Sequence, residues 1–340
     1  MKKWKKIIPA VLSACLLAGC GVAKEDESVY RVSMVAGTGG INDQSFNQLS
    51  WEGLQRFGEH SGADVRVLES KQASDYLTNI DRATDTYSDL VWALGYSLAD
   101  SMLTIAKMNP DINFAIVDFG FDESPHNVTG VVFRAQESSF LVGYIAGMTT
   151  RTDKVGYVGP MKSFLNDQFQ YGYIGGVAYA AHVRGREIEV QSQFTESYSD
   201  AAKAKAIANK MYSNGCDIIF HSAGGAGYGV IESAKENGKY VIGVDTDQSY
   251  LAPDNVLTSG MKNVDIAVDL VSTMAMEGEE IGGQTYSYGL KEGCVGIPAE
   301  NPLMDPEVYE KAMEIQEMII QGELVPPSSE ETYQAFLEGL

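Results

Sequence analysis

Residues 113–118 read Asn-Phe-Ala-Ile-Val-Asp, and this short run decides the fold class of the chain. Its four central residues are apolar without interruption, whereas a strand with one solvent-facing side would alternate apolar and polar residues. Such a run is typical of a strand buried on both faces, in a parallel sheet that helices cover on both sides. Asp118, which ends the run, is costly there unless it is paired or faces a cleft. The run therefore predicts an α/β protein with a polar group at the end of a central strand.

The same pattern continues in both directions from this run. Short stretches rich in β-branched residues alternate with longer amphipathic stretches, such as 305–321, where Asp305 and Pro306 suit an N-cap and a first helical turn. The predicted strands are 30–35, 65–68, 89–94, 113–118, 128–133, 154–158, 188–191, 217–221, 240–245 and 256–259. Strands and helices that alternate in this way predict doubly wound parallel sheets.

The chain is long enough for two lobes. About 320 residues follow the N-terminal segment, which is more than one hydrophobic core usually holds. The alternation pauses around residues 128–137, 256–262 and 286–296, and these pauses predict three crossings between the lobes. The predicted first lobe is 29–134 with 260–288, and the predicted second lobe is 135–259 with 289–340.

The N-terminal segment predicts the compartment. Four lysines precede an apolar run that ends in Leu17-Ala18-Gly19-Cys20, and the run is too short to span a membrane. A cysteine directly after Leu-Ala-Gly resembles a bacterial lipoprotein signal, in which residues 1–19 are removed and Cys20 carries the lipid. We therefore expect an extracytoplasmic protein anchored to the outer face of the cell membrane, with 20–28 as a tether. An ordinary signal peptide whose cleavage site happens to end in cysteine is the alternative.

The charge of the chain limits its partners. The formal net charge is −21, and removal of residues 1–19 with their four lysines makes it −25. A surface this acidic repels phosphate backbones and anionic headgroups. We therefore expect no nucleic-acid partner, and contact with the membrane only through the lipid.

The sequence carries no pattern of a metal site or a catalytic centre. The four histidines are scattered, and Cys216 and Cys294 have no metal-ligand spacing. We expect both cysteines to be small buried residues, although a disulfide between them stays open at this point. The chain also has neither a nucleophile elbow nor a phosphate loop with its lysine. We therefore predict no catalytic residue, no cofactor and no metal.

Polar and aromatic residues cluster after the predicted strands. In open α/β sheets, ligands bind outside the carboxyl ends of the strands. The candidate site residues, including those of the first helix, are Asn42, Asp43, Phe46, Asn47, Trp51, Tyr96, Asp118, His221, Gly224, Gly225, Asp245 and Lys262. Carboxylates, one ammonium, amides and aromatic rings suit a neutral ligand that carries both hydroxyl groups and an aromatic ring.

Several of these residues also have a plain structural explanation. Asp43 is well placed to cap the helix that starts at Phe46, which is compatible with ligand contact. Trp51 lies inside that helix and suits the core, and Lys262 suits the surface. The glycine-rich segment 224–229 is not a dinucleotide fingerprint, and we interpret it as backbone amides at a helix N-terminus.

With these residues in view, the chain resembles the basic membrane protein family of lipoproteins, whose members include purine-nucleoside receptors of ABC transporters. The resemblance runs over nearly the whole chain after the signal. It is carried by Asn42-Asp43-Gln44-Ser45-Phe46-Asn47 with Trp51-Glu52-Gly53-Leu54, and by the segments 114–118, 136–143, 154–159, 223–229, and 242–248 with 257–262.

The resemblance implies a type I periplasmic-binding-protein fold, with two lobes joined by three crossings. It implies a receptor that binds a nucleoside, with a purine favoured, and delivers it to an ABC transporter permease. By residue, it implies that the base stacks on Trp51, that Asp118 binds the base edge, that Asp245, Lys262, Gly224 and Gly225 hold the ribose, and that Asn42, Asp43 and Asn47 line the first lobe.

One feature departs from the family pattern. Nucleoside binders of this family close the stack with a second aromatic ring from the far lobe, and here His221 or Tyr228 takes that place. A receptor for a sugar or an autoinducer and a surface signalling lipoprotein therefore stay as alternatives. An enzyme of the Rossmann class is disfavoured by the export signal and by the lack of a nucleophile with a base.

Overall fold

The computed structural model of the protein describes residues 29–86, 88–299 and 302–340, so Cys20 and the predicted signal and tether lie outside the described residues. The strands are β1 Arg31–Ala36, β2 Asp64–Glu69, β3 Leu90–Leu94, β4 Asn113–Val117, β5 Val128–Phe133, β6 Lys154–Gly159, β7 Glu189–Phe194, β8 Ile218–His221, β9 Tyr240–Asp245, β10 Val256–Lys262, β11 Gln284–Tyr288 and β12 Val295–Gly296. They form two sheets of six strands, in the orders β11-β5-β4-β3-β1-β2 and β12-β10-β9-β8-β6-β7. The predicted fold class of two parallel-sheet lobes is confirmed.

The helices cover both faces of each sheet. They are α1 Phe46–Ser61, α2 Tyr76–Asp85, α3 Ala99–Met108, α4 Ala135–Thr149, α5 Phe164–Arg184, α6 Ala201–Ser213, α7 Gly227–Asn237, α8 Val264–Met276, α9 Pro306–Ile320 and α10 Glu330–Glu338. Successive residues of β1 point into different cores: Met34 packs with residues of α1 and α8, and Val35 with residues of α2 and α3. The second sheet divides in the same way between α4 with α5 and α6 with α7. This two-sided burial is why the central strands carry unbroken apolar runs.

Three stretches of chain pass between the sheets, at Arg134, at Asn263 and in the segment 289–294. The guanidinium of Arg134 ties two of these crossings together. It lies 2.6 Å from a carboxylate oxygen of Glu137 and 2.7 Å from one of Glu292, and it donates to the carbonyl of Ser287 at 2.8 Å. These two crossings of the hinge are therefore linked by one side chain.

Two strands were not among those predicted. β11 adds a parallel edge strand to the first sheet, and β12 pairs antiparallel with β10 in the second. Both lie in the segment 286–296 or directly before it, where the sequence predicts only a crossing. Residues of β11 are mostly exposed, so this edge strand lacks the apolar run by which the central strands are recognised.

The cysteine question is decided by the structure. Cys216 and Cys294 are both buried and both free. Burial raises the pKa of the Cys216 thiol to about 11 and that of the Cys294 thiol to about 12. Both side chains therefore behave as small apolar groups in the second lobe.

Candidate ligand-binding site

The carboxyl ends of the strands of both sheets border one cavity of about 520 Å³ between the lobes. Ten of the twelve candidate residues line it, whereas Trp51 and His221 do not. The ten are Asn42, Asp43, Phe46, Asn47, Tyr96, Asp118, Gly224, Gly225, Asp245 and Lys262. A single edge of each sheet therefore supplies most of the cavity wall, as expected for open α/β sheets.

The Asp43 carboxylate caps α1 and also lines the cavity. It accepts hydrogen bonds from the backbone N–H groups of Ser45, Asn47 and Gln48, each at 3.0 Å. It also accepts one from the Asn47 side-chain amide at 2.9 Å. These four bonds fix the start of α1, so the Asn47 amide and the Phe46 ring are held in place before any ligand arrives.

Asp118 and Asp245 occupy matching positions in the two lobes. Asp118 follows β4, Asp245 ends β9, and their φ angles are 63° and 65°. Such left-handed backbone is uncommon for residues other than glycine and carries a strain of about 1–3 kcal/mol. Strained backbone of this kind is concentrated at binding sites, and here it occurs in both lobes at the cavity wall.

The Asp118 carboxylate forms a buried ion pair with Lys262 of β10, at 2.6 Å. Only 5% of the Asp118 side chain and 3% of the Lys262 side chain are exposed, so the pair joins the two lobes out of contact with solvent. The other carboxylate oxygen of Asp118, Oδ1, is buried and has no hydrogen-bond partner among the described residues. A donor from a ligand would satisfy it.

Aromatic rings surround the Lys262 ammonium. Its nitrogen lies 4.9 Å from the ring centroid of Phe46, 5.3 Å from that of Phe133 and 5.8 Å from that of Phe169. These separations allow cation–π attraction, which is strengthened where water is excluded. Lys262 is therefore a buried part of the site, and the surface alternative for it is wrong.

The Asp245 carboxylate has a different electrostatic environment. Burial raises the pKa of this group above the ordinary value, an effect that nearby Lys262 and a hydrogen bond from Ser45 partly offset. The Ser45 hydroxyl donates this bond across the cleft, from the first lobe to the second. The ionised form of such a buried carboxylate is stabilised when a ligand donates hydrogen bonds to it.

The lobes also touch at the edges of the cavity. The Tyr250 hydroxyl of the second lobe donates to the Gln44 side chain of the first at 3.1 Å. The Tyr96 hydroxyl of the first lobe lies 3.5 Å from the Met161 sulfur of the second. Together with the Ser45–Asp245 bond, these contacts place the lobes in a closed arrangement.

Trp51 does not line the cavity, which corrects the expectation that the base stacks on it. Its ring packs against the core of the lobe. Phe46, five residues earlier at the first position of α1, lines the cavity instead. Five helical residues correspond to a rise of about 7.5 Å and a rotation of about 140° away from the same face. The two rings therefore cannot serve the same wall.

His221 also lies outside the cavity wall. The residue is fully buried, and burial lowers the pKa of its imidazole to about 4. A Cβ atom at Gly227 would overlap the imidazole ring, so the His221 ring packs directly against the first residue of α7. Tyr228, the other candidate for the far-lobe aromatic position, does line the cavity.

Several lining residues escaped the sequence analysis. Met161, Asn166, Phe169 and Tyr198 all come from the second lobe. Tyr198 lies in the loop after β7 and Met161 in the loop after β6, so a search after those two strands would have found them. Phe169 lies inside α5, and no local signal marks it.

Asn166 holds part of this newly found wall together. Its side-chain amide donates to the Met161 carbonyl at 2.8 Å and to the Tyr198 hydroxyl at 3.1 Å. The Tyr198 ring packs beside Gly224, whose φ of +54° suits glycine. Three aromatic rings of each lobe therefore line the cavity: Phe46, Tyr76 and Tyr96 of the first, and Phe169, Tyr198 and Tyr228 of the second.

Charge in the cavity is unevenly balanced. Three carboxylates line it, those of Asp43, Asp118 and Asp245, and Lys262 is the one cationic side chain among the described lining residues. In the described ranges, no three or more His, Cys, Asp or Glu side chains form a group that could hold a metal ion. Nor does that part of the chain contain a helix of the length and apolar character needed to cross a membrane.

Comparison with known proteins gives one consistent result. The family model described as "ABC transporter substrate-binding protein PnrA-like" matches residues 30–330. Basic membrane protein A of Borreliella burgdorferi is 35% identical, with 98% of each chain covered. The CD4+ T-cell-stimulating antigen of Listeria monocytogenes is 36% identical over 93% of this chain and 96% of its own. A solved ABC transporter solute-binding protein from Aeropyrum pernix superposes with a TM-score of 0.81 at 25% identity, over 91% of this chain and 96% of its own.

Proposed function

The chain belongs to the family of PnrA-like ABC transporter substrate-binding proteins, and we propose that it binds a nucleoside, with a purine favoured, in the cavity between its lobes. Family members are binding proteins and not enzymes, which agrees with the lack of a predicted catalytic group. The observation that carries the proposal is the wall itself, in which aromatic rings of both lobes accompany three carboxylates and one ammonium.

The aromatic rings supply surface for a planar base. Rings from the first lobe, such as Phe46, and from the second, such as Tyr198, line the same cavity. Stacking of a base on an aromatic side chain contributes about 1–3 kcal/mol. A base that reaches both lobes also links them, which favours the closed arrangement.

The carboxylates suit the hydroxyl groups of a ribose. A carboxylate only accepts hydrogen bonds, and the ribose 2′- and 3′-hydroxyls can donate to it. Asp245 is the candidate acceptor for the ribose and Asp118 Oδ1 for an N–H of the base. Three charge-assisted bonds of up to about 3 kcal/mol each and one stack of up to about 3 kcal/mol total about 12 kcal/mol. Association costs of about 4 kcal/mol leave about 8 kcal/mol, which corresponds to micromolar binding.

The same charges disfavour phosphorylated ligands. Lys262, the cation of the described wall, is already paired with Asp118 at 2.6 Å. A phosphate group would meet three carboxylates and no free cation. We therefore expect nucleosides to bind and nucleotides to be rejected.

The proposed setting is the outer face of the cell membrane. There the lipid on Cys20 holds the protein, and an ABC transporter permease receives the ligand. A monosaccharide is the alternative ligand, because carboxylates also suit sugar hydroxyls. A role in surface signalling is a further alternative, since one relative bears the name of a T-cell-stimulating antigen.

A thermal-shift panel on the chain from Lys24 onward tests the proposal. It compares purine nucleosides, pyrimidine nucleosides, free bases, nucleotides and monosaccharides. We expect purine nucleosides to raise the melting temperature most and AMP to have little effect. Stabilisation by monosaccharides alone would favour the sugar alternative, and equal stabilisation by AMP and adenosine would contradict phosphate rejection.

A further inference from the structure

A second pocket lies between the lobes on the hinge side of Asp118. Its volume is about 600 Å³, and residues of both lobes and of the hinge line it. Tyr96, Asp118 and Leu165 line this hinge-side pocket and also the ligand cavity. At these residues, single side chains separate the two hollows.

The separating side chains are only partly fixed. Tyr96 is 37% exposed, and its hydroxyl reaches the second lobe at the Met161 sulfur, 3.5 Å away, and at the Tyr198 hydroxyl. Leu165 lies in the first turn of α5 and is half-buried. Small rotations of these two side chains would join the ligand cavity to the hinge-side pocket.

The hinge-side pocket is suited to an aromatic group. The rings of Phe119 and Phe121 meet edge to face, with centroids 4.9 Å apart, and both line the pocket. Phe164 also lines it and is 78% exposed. Three aromatic rings therefore lie together on the wall of this pocket and offer a contiguous apolar surface.

Polar groups of the pocket exclude an anionic occupant. The Arg134 guanidinium is already engaged with Glu137 and Glu292. Two oxygens of the wall are buried and have no hydrogen-bond partner in the described part of the chain. They are the side-chain oxygen of Gln136 and Oδ1 of Asp118, on the wall that both pockets share. Both unsatisfied atoms are acceptors, so a ligand must bring donors to them.

We propose that the hinge-side pocket accepts an apolar aromatic substituent carried on the exocyclic amine of a purine nucleoside, so that N-substituted purine nucleosides are ligands of this protein. A singly substituted amine keeps one N–H for Asp118 Oδ1 and directs its substituent past the Asp118 side chain. A doubly substituted amine has no N–H left for that oxygen. This inference rests on the proposed binding of nucleosides in the adjoining cavity.

Titration calorimetry on the chain from Lys24 onward tests the inference with adenosine, N6-benzyladenosine and N6,N6-dimethyladenosine, and with guanosine and N2-benzylguanosine. For the parent nucleoside that binds, we expect the benzyl derivative to bind within threefold of it or more tightly. The dimethyl compound should bind at least tenfold more weakly than adenosine. A benzyl derivative that loses more than threefold while its parent binds would overturn the inference alone. If no nucleoside binds, the proposed function is overturned together with it.

Variants that fill the hinge-side pocket test its role independently of the ligand cavity. Ser287 lines the pocket but not the ligand cavity, and its side chain is exposed. Ser287→Trp should weaken binding of the benzyl derivative at least tenfold and leave the parent nucleoside within twofold, whereas Ser287→Ala should change neither. Ser328→Trp, at another residue of the pocket wall, should repeat the result if the first variant folds poorly. Unchanged binding of the benzyl derivative in both tryptophan variants would overturn the inference.

Discussion

Asp118 and Asp245 have the same backbone conformation, but their carboxylates have different electrostatic partners. Each stands at the carboxyl end of a buried central strand, with φ of 63° in the first lobe and 65° in the second. Asp118 faces an ammonium at 2.6 Å, whereas Asp245 receives a neutral hydroxyl from Ser45 and has a raised pKa because it is buried. The negative charge of Asp118 is therefore paired with a cation, whereas the burial of the Asp245 carboxylate is only partly offset.

This difference indicates a division of roles. The Asp118–Lys262 pair joins the lobes near the hinge, where Lys262 is the last residue of β10 before the crossing at Asn263. Such an ion pair holds the two lobes in a fixed arrangement. Asp118 Oδ1, which has no hydrogen-bond partner among the described residues, is the atom of this pair that can bind a ligand. The charge of Asp245, on the other side of the cleft, has no ion-pair partner of its own among the described residues, so a ligand that donates hydrogen bonds to it stabilises it. The comparison can be tested by removing one charge at a time.

The largest expected effect is that of Asp118→Asn on stability. Asparagine tolerates the left-handed backbone, so the change removes the charge of the ion-pair partner and leaves the buried Lys262 ammonium with, among the described residues, only the Asp245 carboxylate near it. Breaking a buried ion pair from one side costs about 3–5 kcal/mol. We expect a loss of this size in the free energy of unfolding, measured by urea denaturation of the unliganded protein.

The double variant Asp118→Asn/Lys262→Met is the matched control. Methionine removes the ammonium and keeps an apolar chain among Phe46, Phe133 and Phe169, the rings that surround it. We expect the double variant to regain part of the lost stability, because the buried ammonium is gone, although Asp245 loses the nearby cation that lowers its pKa. A double variant as unstable as the single one would show that the pair is not the cause.

The next effect is that of Asp245→Asn on ligand affinity. The substitution keeps the shape and the left-handed backbone but replaces a charged acceptor with two oxygens by a neutral amide with one, which costs a charge-assisted hydrogen bond of about 3 kcal/mol. We expect purine-nucleoside affinity to fall about 100-fold by calorimetry, while the unliganded variant at pH 7 is at least as stable as the natural chain, because ionisation of the buried Asp245 is unfavourable. Asp247→Asn, two residues on at an exposed position, should leave affinity unchanged. A similar loss in both variants would argue against a specific role for Asp245.

The smallest effect concerns pH. Because the folded pKa of Asp245 is raised, its contribution to stability is fully present below about pH 4, the ordinary pKa of an aspartate, and is lost as pH rises through the folded pKa. Asp245→Asn lacks this loss. We therefore expect the stability of the variant relative to the natural chain to increase from pH 4 to pH 7, by about 1.4 kcal/mol for each unit by which the pKa is raised. A difference that stays flat across this range would contradict the raised pKa.

Much of the candidate site was predictable because strand ends mark it. Asp118 and Asp245 each close an apolar run, where a carboxylate is costly unless a cleft or partner receives it. Gly224 and Gly225 follow β8 in the same way. All four residues line the cavity. The rule that ligands bind at the carboxyl ends of parallel strands needs only the order of elements.

Side chains that act through three-dimensional packing were not predictable. Phe46 and Trp51 belong to the same amphipathic helix, and only the packing of α1 against its neighbours decides which ring reaches the cavity. Phe169 lies within α5, and its ring comes near Lys262 of β10 only through the tertiary packing of the second lobe. His221 ends a strand as Asp245 does, yet it turns beneath Gly227.

The sequence by itself determined the two α/β lobes, the strands that build their centres and the carboxylates at the strand ends, because apolar runs and their polar ends are local properties of the chain. Only the tertiary structure decided that Lys262 of one lobe neutralises Asp118 of the other and that Ser45 reaches Asp245. These pairs are separated by 144 and 200 residues. Their energies depend on burial and distance between lobes, which no local pattern encodes.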